Sequence, residues 1–147
     1  MSWFKNLKPG GGGRGQSGTD YYREGAELLA GEQYLEALTS FRLALRRKPD
    51  DIDVLQQMAV AYTRLGTEDD AIRTYRRVLD VDPHAAGAHY GLAFLLMNRG
   101  SDDEAVAHLR AFLARPPAQA DAHIAHARAA LAELTGEAVQ YPDEYTG

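Results

Sequence analysis

The side chains with the widest chemical repertoire in this chain are its five histidines, because an imidazole binds metal ions and exchanges protons near neutral pH. They are His84, His89, His108, His123 and His126. His123 and His126 are three residues apart, which places them on one side of a helix, and Asp121 is the nearest candidate for a third metal ligand. This spacing is not specific to a metal site, so we predict no metal and no cofactor.

Three further signatures of catalysis are missing from the sequence. The chain has no cysteine, which excludes disulfides and thiolate chemistry. The glycine run at 10–13 precedes no lysine of a phosphate-binding loop. Serine, histidine and aspartate occur together only as composition, without the spacing of a known catalytic motif. We therefore predict that the chain is not an enzyme.

Composition narrows the class of partner. With 147 residues, 45% hydrophobic and 25% charged, the chain has the composition of one soluble domain. A net charge of −5 argues against a nucleic-acid partner, which requires a basic face. The sequence has no apolar run long enough for a signal peptide or a bilayer span, so we expect a cytoplasmic location, with a membrane contacted only indirectly if at all. Thirteen arginines against three lysines favour a bacterial source.

The elements that carry these side chains repeat every 34 residues. Three prolines mark the period, and five further columns of similar residues keep the same interval. The prolines are Pro49, Pro83 and Pro117. The columns are Ala37, Ala71, Ala105; Phe41, Tyr75, Leu109; Gly25, Ala59, Ala93; Leu28, Tyr62, Leu96; and Leu38, Ile72, Val106. Six columns in step indicate an internal repeat rather than chance.

This period and pattern resemble the tetratricopeptide repeat (TPR), most clearly in the middle copy. That copy reads Leu55-x-x-Met58-Ala59-x-x-Tyr62, then Ala71-x-x-x-Tyr75, then Pro83. The resemblance covers residues 19–117 and implies an all-α, right-handed α-solenoid of three helix-turn-helix hairpins with a capping helix. We place the repeats at about 18–51, 52–85 and 86–118, the capping helix at about 119–135, a glycine-rich tail at 1–18 and an acidic tail at 136–147.

Helical periodicity, glycines and prolines locate the individual helices. We expect them at about 19–31, 34–48, 52–65, 68–81, 86–99, 102–115 and 120–134. Gly66 and Gly100 should close first helices in a left-handed conformation. The pairs Thr67–Asp70 and Ser101–Glu104 predict capping boxes, and the first turn, at Glu32, should be less regular. In the last helix we expect His123 and His126 to face water.

The family resemblance also implies where a partner would bind. The first helices of TPR hairpins line a concave groove that receives a peptide or a helix of another protein. Its positions correspond here to Tyr22, Ala26, Leu29, Ala30, Gln56, Val60, Thr63, Arg64, Tyr90, Phe94, Met97 and Asn98. The apolar members suit recognition of an apolar anchor, with the polar members supplying hydrogen bonds. Arginines of the second helices are expected on a solvated outer surface.

One subfamily, which clamps the C-terminal carboxylate of heat-shock proteins, uses lysine, asparagine and arginine at set groove positions. Those positions correspond here to Tyr22, Ala26, Gln57, Gly87 and Gly91. Because none of them is a cation, we predict that the chain lacks this carboxylate-binding function.

The N-terminal segment leaves three interpretations open. Trp3, Phe4 and Leu7 share one face of a helical turn, and a glycine-rich linker follows them. They form a motif that docks in a hydrophobic groove, a membrane-surface anchor, or a disordered end.

These observations predict a non-catalytic adaptor or scaffold that binds a protein segment in its concave groove. Two alternatives stay open. One is a self-assembling, homo-oligomeric scaffold whose N-terminal tail occupies its own or a neighbour's groove. The other is a small TPR chaperone that holds an extended client.

Overall fold

The computed structural model describes residues 18–137, and all regular secondary structure in that range is α-helical. The seven helices are α1 (Tyr21–Ala30), α2 (Tyr34–Arg47), α3 (Ile52–Leu65), α4 (Glu68–Val81), α5 (Ala86–Asn98), α6 (Asp102–Ala114) and α7 (Asp121–Thr135). They form three hairpins, α1–α2, α3–α4 and α5–α6, followed by the capping helix α7. The predicted all-α solenoid of three hairpins and a capping helix is confirmed.

Each helix packs against its neighbours along the chain, and the first helices α1, α3 and α5 also touch one another in sequence. The core divides into three clusters of buried side chains along the solenoid. They centre on Phe41 in the first hairpin, on Tyr75 between the second and third, and on Phe112 beneath α7. Burial is therefore local, as expected for a repeat protein in which each unit contacts only its neighbours.

Prolines end the second helix of each hairpin, as predicted. Helices α2, α4 and α6 finish two or three residues before Pro49, Pro83 and Pro117. Proline disfavours helical backbone in the residue before it and cannot donate to the helical ladder. The helix bounds agree with the expected ones to within two residues because these stops are strong.

The predicted capping boxes are wrong. Thr67 occupies the position before α4, but its hydroxyl accepts no N–H of that helix. Instead it donates to the Tyr62 carbonyl, 3.1 Å away at the end of α3. Ser101 likewise makes no side-chain cap. The same Tyr62 carbonyl also accepts the backbone N–H of Thr67 at 3.0 Å, so the hydroxyl reinforces the end of α3 instead of capping α4. Side-chain caps occur instead at Asp20 and Asp51.

A glycine in the left-handed conformation follows α3, α5 and α7. The sequence predicts this for the glycines after α3 and α5. Gly66 and Gly100 have φ of +81° and +76°, and Gly136 ends α7 with φ of +73°. In the first hairpin Glu32 takes this conformation instead, with φ of +62°. Glu32 N–H bonds to the Leu29 carbonyl and Gln33 N–H to the Leu28 carbonyl, which is the pattern of the other two turns. The expectation of a less regular first turn is therefore wrong, although a residue with a Cβ is strained in this conformation.

Small residues let the helices approach closely. Ala37, Ala71 and Ala105 are fully buried, in agreement with the repeat pattern. A Cβ on Gly25 would lie 2.5 Å from Cε1 of Phe41, and a Cβ on Gly91 would lie 2.4 Å from Cζ of Tyr75. Each large ring therefore occupies the space that a missing side chain leaves on the facing helix.

The N-terminal residues Trp3, Phe4 and Leu7 lie outside the described range, as do residues 138–147 of the acidic tail. Among the helices of residues 18–137, none combines the length and apolar character that crossing a membrane demands.

Candidate functional site

The candidate binding surface is formed by α1, α3 and α5, with α7 adjoining α5. Six of its predicted apolar positions are half-buried, and three of its predicted polar positions are exposed. The half-buried ones are Ala26, Leu29, Val60, Tyr90, Phe94 and Met97. The exposed ones are Thr63, Arg64 and Asn98. The surface thus offers apolar side chains to solvent on three successive first helices.

Two predicted groove residues are buried and contribute almost no open surface. Tyr22 is 5% exposed and belongs to the first core cluster, with its ring centroid 6.3 Å from that of Phe41. Gln56 is 9% exposed. The expectation that Tyr22 looks out over the groove is therefore wrong, because its ring packs with Phe41 in the core of the first hairpin.

Thr63 is expected to donate a hydrogen bond to a partner, but its hydroxyl is already engaged within α3. Its hydroxyl donates to the Ala59 carbonyl at 2.8 Å, within its own helix. Arg64, one residue further on, is exposed and makes no ion pair with any residue in the range 18–137. Arg64 and Asn98 are thus the polar side chains of this surface that extend freely into solvent.

The most elaborate part of the surface is an aromatic–imidazole cluster of Tyr90, Phe94, His123 and His126, where α5 meets α7. The Phe94 and His126 rings stack with centroids 4.3 Å apart and planes at 15°. The Tyr90 ring lies 4.9 Å from Phe94 and 5.0 Å from His123. The cluster closes the C-terminal end of the row of apolar side chains.

A hydrogen bond fixes the orientation of this cluster. Tyr90 Oη lies 2.7 Å from His126 Nδ1. Partial burial raises the pKa of Tyr90, so its hydroxyl keeps its proton at neutral pH and can donate it to a lone pair on His126 Nδ1. Burial also lowers the pKa of His123, which keeps this imidazole neutral over a wider range of pH. The phenol and phenyl rings of the cluster are therefore uncharged at neutral pH.

His126 is exposed to solvent, as predicted, although one face of its ring stacks on Phe94 of α5. His123 is half-buried against Tyr90, so its predicted assignment to water is wrong. In residues 18–137 no group of three or more histidine, aspartate or glutamate side chains is arranged to hold a metal ion. The two imidazoles instead pack on Tyr90 and Phe94.

A signal for this placement is present in the sequence. Met58, Leu92 and His126 are spaced 34 residues apart and form one column of the repeat. Met58 and Leu92 are buried, with 6% and 0% exposure. His126 therefore occupies a column that points toward the preceding helix. The polarity pattern of the capping helix hides this column, because histidine counts as polar.

The basic side chains of the second helices are held by local partners, in agreement with a solvated outer surface. Arg76 pairs with Glu104 at 3.1 Å, and Arg77 donates to the Pro49 carbonyl at 2.6 Å. Arg73 pairs with Asp70 one turn away. These exposed pairs contribute little stability each, and they neutralise much of the positive charge on this side.

The repeating hairpins define this chain as an α-solenoid of the helix-turn-helix type. Residues 65–134 match the sequence model of the tetratricopeptide repeat. The seven helices of residues 18–137 fit three repeats and a capping helix, and the chain is a tetratricopeptide-repeat protein.

Among curated proteins, the chain is similar to the photosystem I assembly protein Ycf3 of cyanobacteria. The Ycf3 of Synechococcus elongatus is 33% identical over 98 residues, which cover 60% of this chain and 57% of that protein. The chain thus spans about half the length of the curated relatives that it matches.

Two solved structures show the same fold at low sequence identity. The Yersinia enterocolitica type III secretion chaperone SycD, in complex with a peptide of the translocator YopD, superimposes with a TM-score of 0.73 at 16% identity. The match covers 78% of this chain and 88% of SycD. The first TPR of Spaghetti (RPAP3), bound to the HSP90 peptide SRMEEVD, gives a TM-score of 0.69 at 16% identity. That match covers 79% of this chain and 88% of the other.

Proposed function

We propose that this chain is a non-catalytic protein-interaction module that binds a segment of a partner protein along α1, α3 and α5. The observation that carries the proposal is the row of half-buried apolar side chains on successive first helices, namely Val60, Tyr90, Phe94 and Met97. Partly exposed aromatic and methionine side chains on a rigid support are typical of surfaces that receive an apolar anchor.

The chemistry of this row defines the kind of segment that fits it. The rings of Tyr90 and Phe94 carry no charge, so this part of the row favours a leucine, methionine or aromatic side chain over an acidic one. Arg64 and Asn98 flank the apolar row and are exposed. A partner segment with an apolar anchor and an acidic or amide group nearby would therefore satisfy both parts of the surface.

Solved structures of the same fold support a peptide-binding role. SycD was solved with a peptide of YopD and the first TPR of RPAP3 with an HSP90 peptide, so this fold can bind peptides. The carboxylate-binding mode is not part of the proposal. Gly91 has no side chain, and the Cβ that another residue would place there points at Tyr75 in the core. A cation at that position would have to displace a buried ring.

The experiment that tests this function is affinity capture from the native host extract, with identification of the bound protein by mass spectrometry. Phe94→Glu places a charge in the apolar row, and the expected result is at least a tenfold loss of the captured partner, because an unpaired carboxylate would be desolvated on binding. The purified partner segment should show the same loss of affinity by calorimetry.

Leu35→Glu is the matched control. It also replaces an apolar residue by glutamate, but Leu35 is 66% exposed on the second helix α2. This variant should capture the partner as well as the wild type does. Circular dichroism establishes that both variants are folded at the assay temperature. Equal capture by folded Phe94→Glu and wild type would refute the proposed surface, and capture of a second copy of the chain would favour the self-assembly alternative.

A further inference from the structure

Two histidines outside the proposed binding surface face each other head-on across the third hairpin. His89 of α5 and His108 of α6 have their Nδ1 atoms 3.0 Å apart. Their ring centroids are 5.2 Å apart, only 2.2 Å more than the nitrogens. Because that difference is nearly the sum of the two ring radii, both nitrogens lie close to the line between the rings. This geometry suits one shared proton, whereas a metal ion would require lone pairs that converge to one side.

The tautomers of the pair follow from its other contact. His89 Nε2 lies 2.7 Å from the Pro83 carbonyl, which can only accept, so Nε2 carries a proton. In neutral His89 the Nδ1 atom is then an acceptor, and His108 Nδ1–H donates to it. The chain of contacts joins three segments: α6, α5 and the turn between α4 and α5.

The pair binds one additional proton without breaking. When His108 is protonated at Nε2, its Nδ1–H still donates to the lone pair of His89, and the bond becomes charge-assisted. A second proton leaves N–H groups on both facing nitrogens, so the bond is lost and two positive charges meet at 3.0 Å.

The surroundings of the pair come from three helices. Burial and the neighbouring His89 lower the pKa of His108, Glu104 of the same helix raises it, and Arg76 of α4 lowers it. Arg76 and Glu104 are themselves paired at 3.1 Å. The carboxylate affects the pKa of His108 more than the cation does, so the net lowering comes from burial and from His89.

We propose that His89 and His108 form an acid-sensitive latch that holds the third hairpin to the turn before it and opens when both imidazoles are protonated. His89 is followed directly by Tyr90 of the aromatic–imidazole cluster, so opening loosens the start of α5 and the seat of Tyr90 together. The effect on partner binding rests on the proposed function, whereas the latch itself does not.

The direction of the pH dependence follows from linkage. The pKa of His108 is lower in the folded chain than its ordinary value of 6.5. As the pH falls below that value, the unfolded chain takes up a proton before the folded chain does, so stability decreases. The stability that the neutral His108 contributes is fully present above pH 6.5 and is lost progressively below it. For one proton, the folding equilibrium constant decreases by up to tenfold per pH unit.

The test is urea unfolding of the full chain from pH 7.5 to 4.5 for wild type and His108→Asn. The asparagine amide reaches the position of the Nδ1 atom, donates to neutral His89, and accepts from protonated His89 after rotation, but it does not titrate. We expect the free energy of unfolding to fall less steeply with decreasing pH in His108→Asn than in wild type. The difference in slope should correspond to at most one proton. His84→Asn removes an exposed imidazole outside the pair and should keep the wild-type slope.

A second measurement detects directly which ring nitrogens of His89 and His108 carry protons. Two-bond ¹H–¹⁵N correlation spectra at pH 7.5 should show His89 protonated at Nε2 and His108 protonated at Nδ1. Finding His108 protonated only at Nε2 would overturn the proposal, as would an unchanged acid slope in His108→Asn or an equal reduction in His84→Asn. If the latch results hold while partner capture fails, only the proposed binding function is refuted.

Discussion

At the scale of single residues, large rings occupy the space that small residues leave on the facing helix. Gly25 and Gly91 carry no side chain where Phe41 and Tyr75 project from facing helices. The same interdependence applies to His126, which takes the place of the buried Met58 and Leu92 and therefore packs on α5. The identity of a residue in one repeat is thus set by the ring or aliphatic group that meets it from the adjacent helix.

Replacement of Gly91 by alanine tests the close approach of α5 to Tyr75. The new Cβ would lie 2.4 Å from Tyr75 Cζ, so the ring or the helix must shift. Overpacking of this kind outweighs the gain in helix propensity and should cost about 1–3 kcal/mol in the free energy of unfolding, measured with urea. In Gly31→Ala the new Cβ meets its nearest atom at 3.5 Å, an ordinary contact, and stability should change little.

The buried phenol of Tyr75 predicts an alkaline limit to stability. Burial raises the pKa of Tyr75 far above its ordinary value of 10.0. The unfolded chain therefore loses this proton first, and stability falls as the pH rises through 10. Tyr75→Phe should flatten this fall in unfolding experiments between pH 8 and 11, while Tyr75→Ala should cost about 3–5 kcal/mol at every pH. An unchanged alkaline slope in Tyr75→Phe would contradict the assignment.

At the scale of helices, sequence alone predicted most of the architecture. Prolines at a 34-residue interval, small residues at the crossings and glycines after α3 and α5 are strong local signals, so the helix bounds were nearly correct. The prediction failed where tertiary contacts decide. Thr67 bonds backward to α3 rather than forward to α4, and Tyr22 packs into the core although its column belongs to the groove. Neither outcome can be derived from one helix in isolation.

The docking of α7 can be tested with two alanines on opposite sides of that helix. Ala127 is fully buried against the third core cluster, whereas Ala125 is exposed. Ala127→Arg forces a cation into an apolar contact, so either stability falls by roughly 3–5 kcal/mol or α7 separates from α6. Hydrogen exchange of the α7 amides should accelerate in this variant. Ala125→Arg should leave the exchange pattern and the stability of the wild type intact.

At the scale of the whole molecule, contacts run almost entirely between successive helices, which makes the solenoid a one-dimensional stack. Within residues 18–137, helices α2 to α6 each pack against the preceding and the following helix, whereas α1 has no helix before it and α7 none after it. Helices α3, α4 and α5 lie furthest from the two ends. Stability should therefore be distributed unevenly along the chain.

Native-state hydrogen exchange should reveal this gradient. We expect the slowest amides in α3, α4 and α5, and faster exchange in α1 and α7, because an end helix opens without disturbing the centre. Mass spectrometry of peptides from the exchanged protein resolves these segments. Uniform protection across all seven helices would show instead that the solenoid unfolds as one cooperative unit.

The position of Gly136 bears on how this scaffold is extended by engineering. Gly66 and Gly100 are one period apart, and the next position in that series is Leu134, yet the left-handed residue that ends α7 comes two residues later. Two additional helical residues rotate the exit of the chain by about 200°. A fourth hairpin partner fused after Gly136 would leave on the opposite face. Deleting two residues before the fusion point would restore the phase needed for a longer synthetic array.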